Sequence, residues 1–184
     1  MEDVRPPVDS GGYGAESVDG VDRSLDFVAT LVDRLVEAGG SAVRAATALV
    51  GPRCRLTGGT WWSYYDATTV SGPSGLDIDH VVPLAEAWDS GASAWTAQRR
   101  EAYANDLGAL TSLVGVTARS NRSKSDQDPT TWMPPVGEVH CQDAAEWTAT
   151  KIRWNLAVDP QEEAELLDLA EQCPTTEVYF DRVP

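Results

Sequence analysis

The sequence predicts an α+β domain, and three observations carry that reading. Apolar residues recur at helical three- and four-residue spacing near both ends of the chain. Between them, residues 54–70 are dense in Thr, Trp, Tyr and Val, the composition of short strands. Two further extended runs, at 76–84 and 112–116, alternate with helical segments. The 184 residues suit one domain, or at most two small ones. Apolar residues at 42% are too many for a disordered chain, and three cysteines are too few for a disulfide scaffold.

Residues 1–20 are rich in Gly, Pro, Ser and Asp, and are expected to form a flexible leader. Residues 21–53 read as a helical segment. Ser24 precedes Leu25, Val28, Leu31, Val32, Leu35 and Val36 at helical spacing, and Gly39-Gly40 ends that helix. A second short helix is expected from Ser41 to Val50, stopping at Gly51-Pro52. From Cys54, CRLTGGTWWSYYDATTV reads as a hairpin or two short strands around Gly58-Gly59. SGPSG is a loop, and LDIDHVVPL is an extended segment closed by Pro83.

LAEAWDSG gives one or two helical turns. Ser93 is expected to cap a helix running to about Ala104. SLVGV is a short apolar strand, and ARSNRSKSD opens a helix that DPTTWMPP breaks. Asp143 is expected to cap a helix carrying Trp147 and Trp154. Asp159-Pro160-Gln161-Glu162 places an N-cap, a first-turn Pro and a capping-box Glu before a helix that runs to about Cys173. The Trp and Tyr residues are read as packing residues before ligand-stacking ones.

Acidic residues outnumber basic ones by 29 to 14, for a net charge of −15. Such a chain repels phosphate at long range, so any site for a polyanion must be locally basic or carry a metal. No apolar run approaches the ~20 residues that a membrane-spanning helix needs. MEDVRPPVDSGGYG shows no basic segment followed by an apolar one, so no signal peptide is visible. That is the pattern of an intracellular chain, or of one that begins after processing.

His80 and His140 are the only histidines. His80 stands in Asp77-Ile78-Asp79-His80, where alternation puts the two carboxylates on one strand face and the imidazole on the other. A hydrolase can use that division, with a carboxylate holding a divalent cation and the imidazole activating water. Asn105 lies in YANDL, and Asn121 at the start of a later helix; an Asn side chain offers a hard oxygen to a cation such as Mg²⁺. Asn105 also reads as a helix C-cap. Arg119, Arg122 and Lys124 make residues 99–124 the one basic stretch of the chain and gather cations at a helix start.

DIDHVVPLAEAW, then YANDL, then NRSKSDQDPTTWMPP, in that order, resembles the HNH (His-Me finger) nucleases. The closer likeness is to the C-terminal domain of GmrSD-type restriction endonucleases and to small actinobacterial HNH-family proteins, many of them secreted. It covers residues 54–135, weakens through Trp147–Cys173 and is absent before about residue 50. The resemblance implies a ββα-metal core at 54–135, with a helical extension at 136–184 packed on it. It implies that His80 is the general base and that Asp79 and Asn121 ligate one divalent metal. Asn105 would hold and orient His80, and Asp77 would stand behind the metal ligands. Lys124, with Arg122 and Arg119, would contact the substrate phosphate. Many family members carry His at the positions of Asp79 and Asn121. The Asp/Asn pair is harder, which favours Mg²⁺, or Mn²⁺, over Zn²⁺. The implied substrate is nucleic acid, DNA before RNA. By the same likeness Cys141 and Cys173 pair in a disulfide, leaving Cys54 a free thiol. Two rival readings stand beside this one. One is a Cys₃His zinc centre built from His140 and the three cysteines. The other is a catalytically degenerate nuclease fold whose acidity serves binding or DNA mimicry.

Overall fold

A computed structural model describes residues 48–51 and 55–184. The leader, the helix expected at 25–38 and the assignment of Cys54 lie outside the described residues. Six strands are described: β1 Ala48–Gly51, β2 Arg55–Gly58, β3 Thr60–Ser63, β4 Thr68–Ser71, β5 Leu76–His80 and β6 Leu113–Thr117. They form three antiparallel pairs, β1–β2, β3–β4 and β5–β6. Five α-helices are described: α1 Leu84–Asp89, α2 Ala97–Ala104, α3 Ala118–Lys124, α4 His140–Trp154 and α5 Pro160–Gln172.

One local expectation fails in the first third. Residues 48–50 are not the end of a helix but part of β1, where Leu49 pairs with Thr57 and Val50 with Leu56. A two- or three-turn helix is marginal without tertiary support, whereas an adjacent strand satisfies the same backbone groups. Around Gly58-Gly59 the second of the two expected forms is found, two short strands, β2 and β3, in different sheets. Both glycines have positive φ, 70° and 80°, and they carry the chain from one sheet into the next. The hairpin forms instead between β3 and β4, with Trp61 opposite Val70, and Tyr64–Ala67 make its turn.

β5 and β6 pair from Leu76↔Thr117 to His80↔Leu113. α3 follows β6 without a break because Thr117 caps it, its hydroxyl oxygen accepting from Ser120 N–H at 3.2 Å. The result is a strand–strand–helix unit whose two strands are separated in sequence by α1 and α2. Thr96 rather than Ser93 caps α2; Ser93 lies in a 3₁₀ turn, Ala92–Ala94.

The C-terminal helices close the core from behind. Trp147 and Trp154 of α4 are buried with Tyr64, Tyr65, Val81, Val82, Val114 and Val116. Arg153 grips Asp106 with two N–H···O bonds, 2.7 and 2.9 Å, and Trp154 Nε1 donates to the same carboxylate at 2.8 Å. Asp159 caps α5 as expected, accepting from Gln161 and Glu162 N–H. Glu162 does not complete a capping box. Its buried carboxylate accepts from Trp147 Nε1 at 2.6 Å and from Lys151 Nζ at 2.7 Å, because those donors have no water to turn to. Trp88 also departs from the packing role expected of it. It is exposed, with the Arg100 guanidinium 5.2 Å from its ring centre. Cys141 and Cys173 form a disulfide that ties the start of α4 to the end of α5. That bond takes two of the thiolates the zinc reading needed. Among the described residues no helix is long and apolar enough to cross a membrane.

Candidate active site

Strand alternation on β5 turns Asp77 and Asp79 to one face and Ile78 and His80 to the other. Asp79 is 5% exposed. Its Oδ2 accepts from Tyr65 Oη at 2.8 Å and from Lys124 Nζ at 2.6 Å. Lys124 is buried as well and donates a second bond, 2.7 Å, to the backbone carbonyl of His80. One side chain of α3 therefore clamps the last two residues of β5. Burial pulls the Lys124 pKa below its ordinary value, while Asp79 pulls it back up.

Asn121 lies one helical turn before Lys124 and reaches the same strand. Its Nδ2 is 3.4 Å from Asp77 Oδ2. Arg122 Nε is 3.6 Å from that oxygen, but its side chain is 77% exposed, so the pair adds little stability.

His80 Nε2 is 3.0 Å from the Ala104 carbonyl oxygen. A carbonyl can only accept, so Nε2 carries the proton and Nδ1 keeps its lone pair. Burial lowers the pKa of the ring, outweighing the raising effects of the Ala104 bond and Asp79. Tyr103 stacks near it, with ring centres 6.1 Å apart. Asn105 is the C-cap of α2. Its Nδ2 donates to the Glu101 carbonyl at 2.8 Å, and its backbone N–H to the same carbonyl at 3.1 Å. Asn105 thus finishes the helix end whose Ala104 carbonyl meets His80.

The site predicted from sequence is therefore partly assembled. Asp79, His80 and Lys124 meet, and Asn121 joins them through Asp77. Lys124 faces inward onto Asp79, a different post from the phosphate contact the resemblance implied. Arg119 stands apart from them: it is exposed and lines a cavity with Ser120 and Ser123 of the same helix. Among the described residues no cluster of three or more His, Cys, Asp or Glu is arranged to hold a metal ion.

Three residues escaped the sequence reading. Tyr64 and Tyr65 were expected as packing residues. Both are buried, but their hydroxyls do polar work, Tyr65 on Asp79 and Tyr64 on Glu146 Oε2 at 2.7 Å. A buried phenol must find a partner, and that was the available signal. Asp143 was expected as a helix cap. It is instead buried inside the first turn of α4, 3.5 Å from Tyr64 Oη. Burial pushes its pKa up to about 7, with Lys124 pulling the other way.

The fold and site define an α+β protein with a candidate polar active site on a strand–strand–helix unit, in which a buried acid–amine pair adjoins an imidazole. Residues 55–169 match the family described as GmrSD restriction endonucleases, C-terminal domain. The chain belongs to that family, and its description gives the site a nuclease-related setting. The chain is also 40% identical over 120 residues to an uncharacterized secreted protein of Arthroderma benhamiae. That stretch is 65% of this chain and 58% of the relative. No solved structure matches the chain.

Proposed function

We propose that this chain is a metal-dependent endonuclease of the HNH type that hydrolyses phosphodiester bonds, DNA first among its substrates. The observation that carries the proposal is the pair of hydrogen bonds that the Lys124 ammonium donates, one to Asp79 and one to the carbonyl of His80. It fastens the helix bearing Asn121 to the strand bearing the acid and the imidazole.

In this reading β5, β6 and α3 are the ββα-metal core. His80 is the general base. The Ala104 carbonyl fixes its tautomer and ring plane, which leaves Nδ1 to take a proton from the attacking water. The ring is uncharged at neutral pH because burial lowers its pKa. Asp79 and Asn121 would hold the cation. Asp79 Oδ2 is engaged by Tyr65 and Lys124, which leaves Oδ1; Asn121 turns its Nδ2 towards Asp77, which leaves its Oδ1. One carboxylate and one amide oxygen make a small, hard donor set. That suits Mg²⁺ or Mn²⁺, which retain several waters, better than Zn²⁺. When bound, the cation would stabilise charge on the phosphate and the leaving oxygen. Asp77 stands behind this set and orients the Asn121 amide. Lys124 and Asn105 act as positioning residues, the first through Asp79 and β5, the second through the end of α2. The disulfide and the secreted relative support an extracellular site of action.

Plasmid nicking tests the proposal. Supercoiled DNA should be nicked with Mg²⁺ and left intact with EDTA, and His80→Ala should abolish nicking while leaving thermal stability close to wild type. Equal nicking by His80→Ala, or nicking that persists in EDTA, would sink the mechanism. Tight binding to a basic protein without any cleavage would favour the degenerate, binding form of the fold.

A further inference from the structure

A cavity of about 430 Å³ opens beside α3. Arg119 and Ser123 of α3 line it, with Trp132, Met133 and Val136 from the following segment and Asp66 from the β3–β4 turn. Its volume lies in the range of small-molecule sites. It is coupled to the candidate active site through one residue. Trp132 packs edge-to-face on Tyr65, ring centres 5.2 Å apart, and the Tyr65 hydroxyl bonds Asp79. Trp132 is half-buried, and its Nε1 is 3.3 Å from Ser123 Oγ.

The disposition of the cations says what the cavity takes. In a chain of net charge −15, nearly every described cation is already engaged. Lys124, Lys151 and Arg153 lie in buried ion pairs. Arg99, Arg100 and Arg182 donate to backbone carbonyls. Arg122 rests near Asp77. Arg119 is exposed and, among the described side chains, has no such partner. An unengaged guanidinium at the mouth of an indole-lined cavity suits a ligand with an anionic group joined to a flat ring. The Asp66 carboxylate, kept ionised by hydrogen bonds from Thr117 and Ser120, repels the anionic end and directs it outward to Arg119.

We propose that this cavity receives one unpaired base of the substrate strand, stacked against Trp132, with the adjoining phosphate on Arg119. The inference rests on the nuclease reading and narrows it: the preferred substrate is single-stranded or locally melted nucleic acid. A base inside a duplex is held by its own stack and must be turned out before it can enter such a cavity.

The test is equilibrium binding in EDTA, where no strand is cut. Fluorescence anisotropy with a labelled short single-stranded deoxyoligonucleotide, and with the same strand in a duplex, reads it directly. Wild type should bind the single strand about 10-fold or more tightly than the duplex, the scale that stacking one base on an aromatic ring supplies. Arg119→Ala and Trp132→Leu should each remove most of that difference. Arg119 is exposed and has no ion-pair or hydrogen-bond partner among the described side chains, so its variant should stay folded even if Trp132→Leu loosens Tyr65. Equal affinity of wild type for both forms, or an Arg119→Ala variant that keeps the full preference, would overturn the proposal. Because the assay needs no turnover, a failure of plasmid nicking with the binding preference intact would fall on the catalytic reading and leave the cavity's assignment standing.

Discussion

Replacing Lys124 by Met probes the joint on which the candidate site depends. The ammonium is 2% exposed and the Asp79 side chain 6%, with 2.6 Å between Nζ and Oδ2. Methionine fills similar space but strands a buried carboxylate with only the Tyr65 hydroxyl for company. Breaking one side of a buried ion pair costs about 3–5 kcal/mol. For a chain of this size each kcal/mol moves the midpoint by about 2–4 °C, so Tm should fall by about 6–20 °C. Thermal unfolding followed by circular dichroism, in EDTA, measures it. The double variant Asp79→Asn/Lys124→Met removes both charges yet keeps an acceptor for Tyr65, so it should regain at least half of the loss. A single-variant loss below about 1 kcal/mol, the size of an exposed pair, would refute the buried-clamp account. So would a double variant that is worse than the single one.

Three further outcomes follow from the same geometry. The acid limb of kcat/KM for cleavage should lie below pH 6.5, because burial lowers the His80 pKa and the base stays unprotonated past the ordinary imidazole value; a limb above 6.5 would contradict a buried neutral base. Asp143 has a folded pKa of about 7 against an ordinary 3.8. The folded chain therefore holds a proton that the unfolded chain has released, and stability falls as pH rises through that window. Asp143→Asn should raise Tm relative to wild type at pH 8 and lose that advantage near pH 4; a pH-independent difference would refute the assignment. The Cys141–Cys173 bridge spans 32 residues, for which loop closure gives about 3–4 kcal/mol. Cys141→Ala/Cys173→Ala should lose stability on that scale in urea unfolding, and a change within about 1 kcal/mol would show that the two helices are held by packing alone.

Much of this architecture could be read in the chain because the relevant signals were local. Alternation in Leu76–His80, the apolar run near Leu113–Thr117, and the Asp159-Pro160 cap each determine an element over a few residues, and all three stand. What went astray depended on partners distant in sequence. Ala48–Val50 became a strand because Leu56 and Thr57 were available to pair. Glu162 left its capping box because Trp147 and Lys151 required a buried acceptor. Asp143 carries the residue type of a cap, and only its burial against Tyr64 gives it another task. The site divides in the same way. Asp79 and His80 are visible as a dipeptide, whereas the inward turn of Lys124, 45 residues away, is a fact of packing.

The charge of −15 does not count against a nucleic-acid substrate once its placement is considered. Besides the buried, paired Glu162, α5 carries Glu163, Glu165, Asp168 and Glu171, while α3 carries Arg119, Arg122 and Lys124 and no acid. At physiological ionic strength exposed charges are largely screened beyond about 8 Å, so the acidic helix acts mainly on the approach of a polyanion. Holding the strand is a matter of the few groups that touch it. Lys124 cannot serve there, because its charge is cancelled within 2.6 Å by Asp79. That cancellation has a structural use: it fixes the acid without leaving an uncompensated buried charge. On the proposed reading, the attraction for phosphate comes from the exposed guanidinium groups of α3 and from the cation that Asp79 and Asn121 would hold.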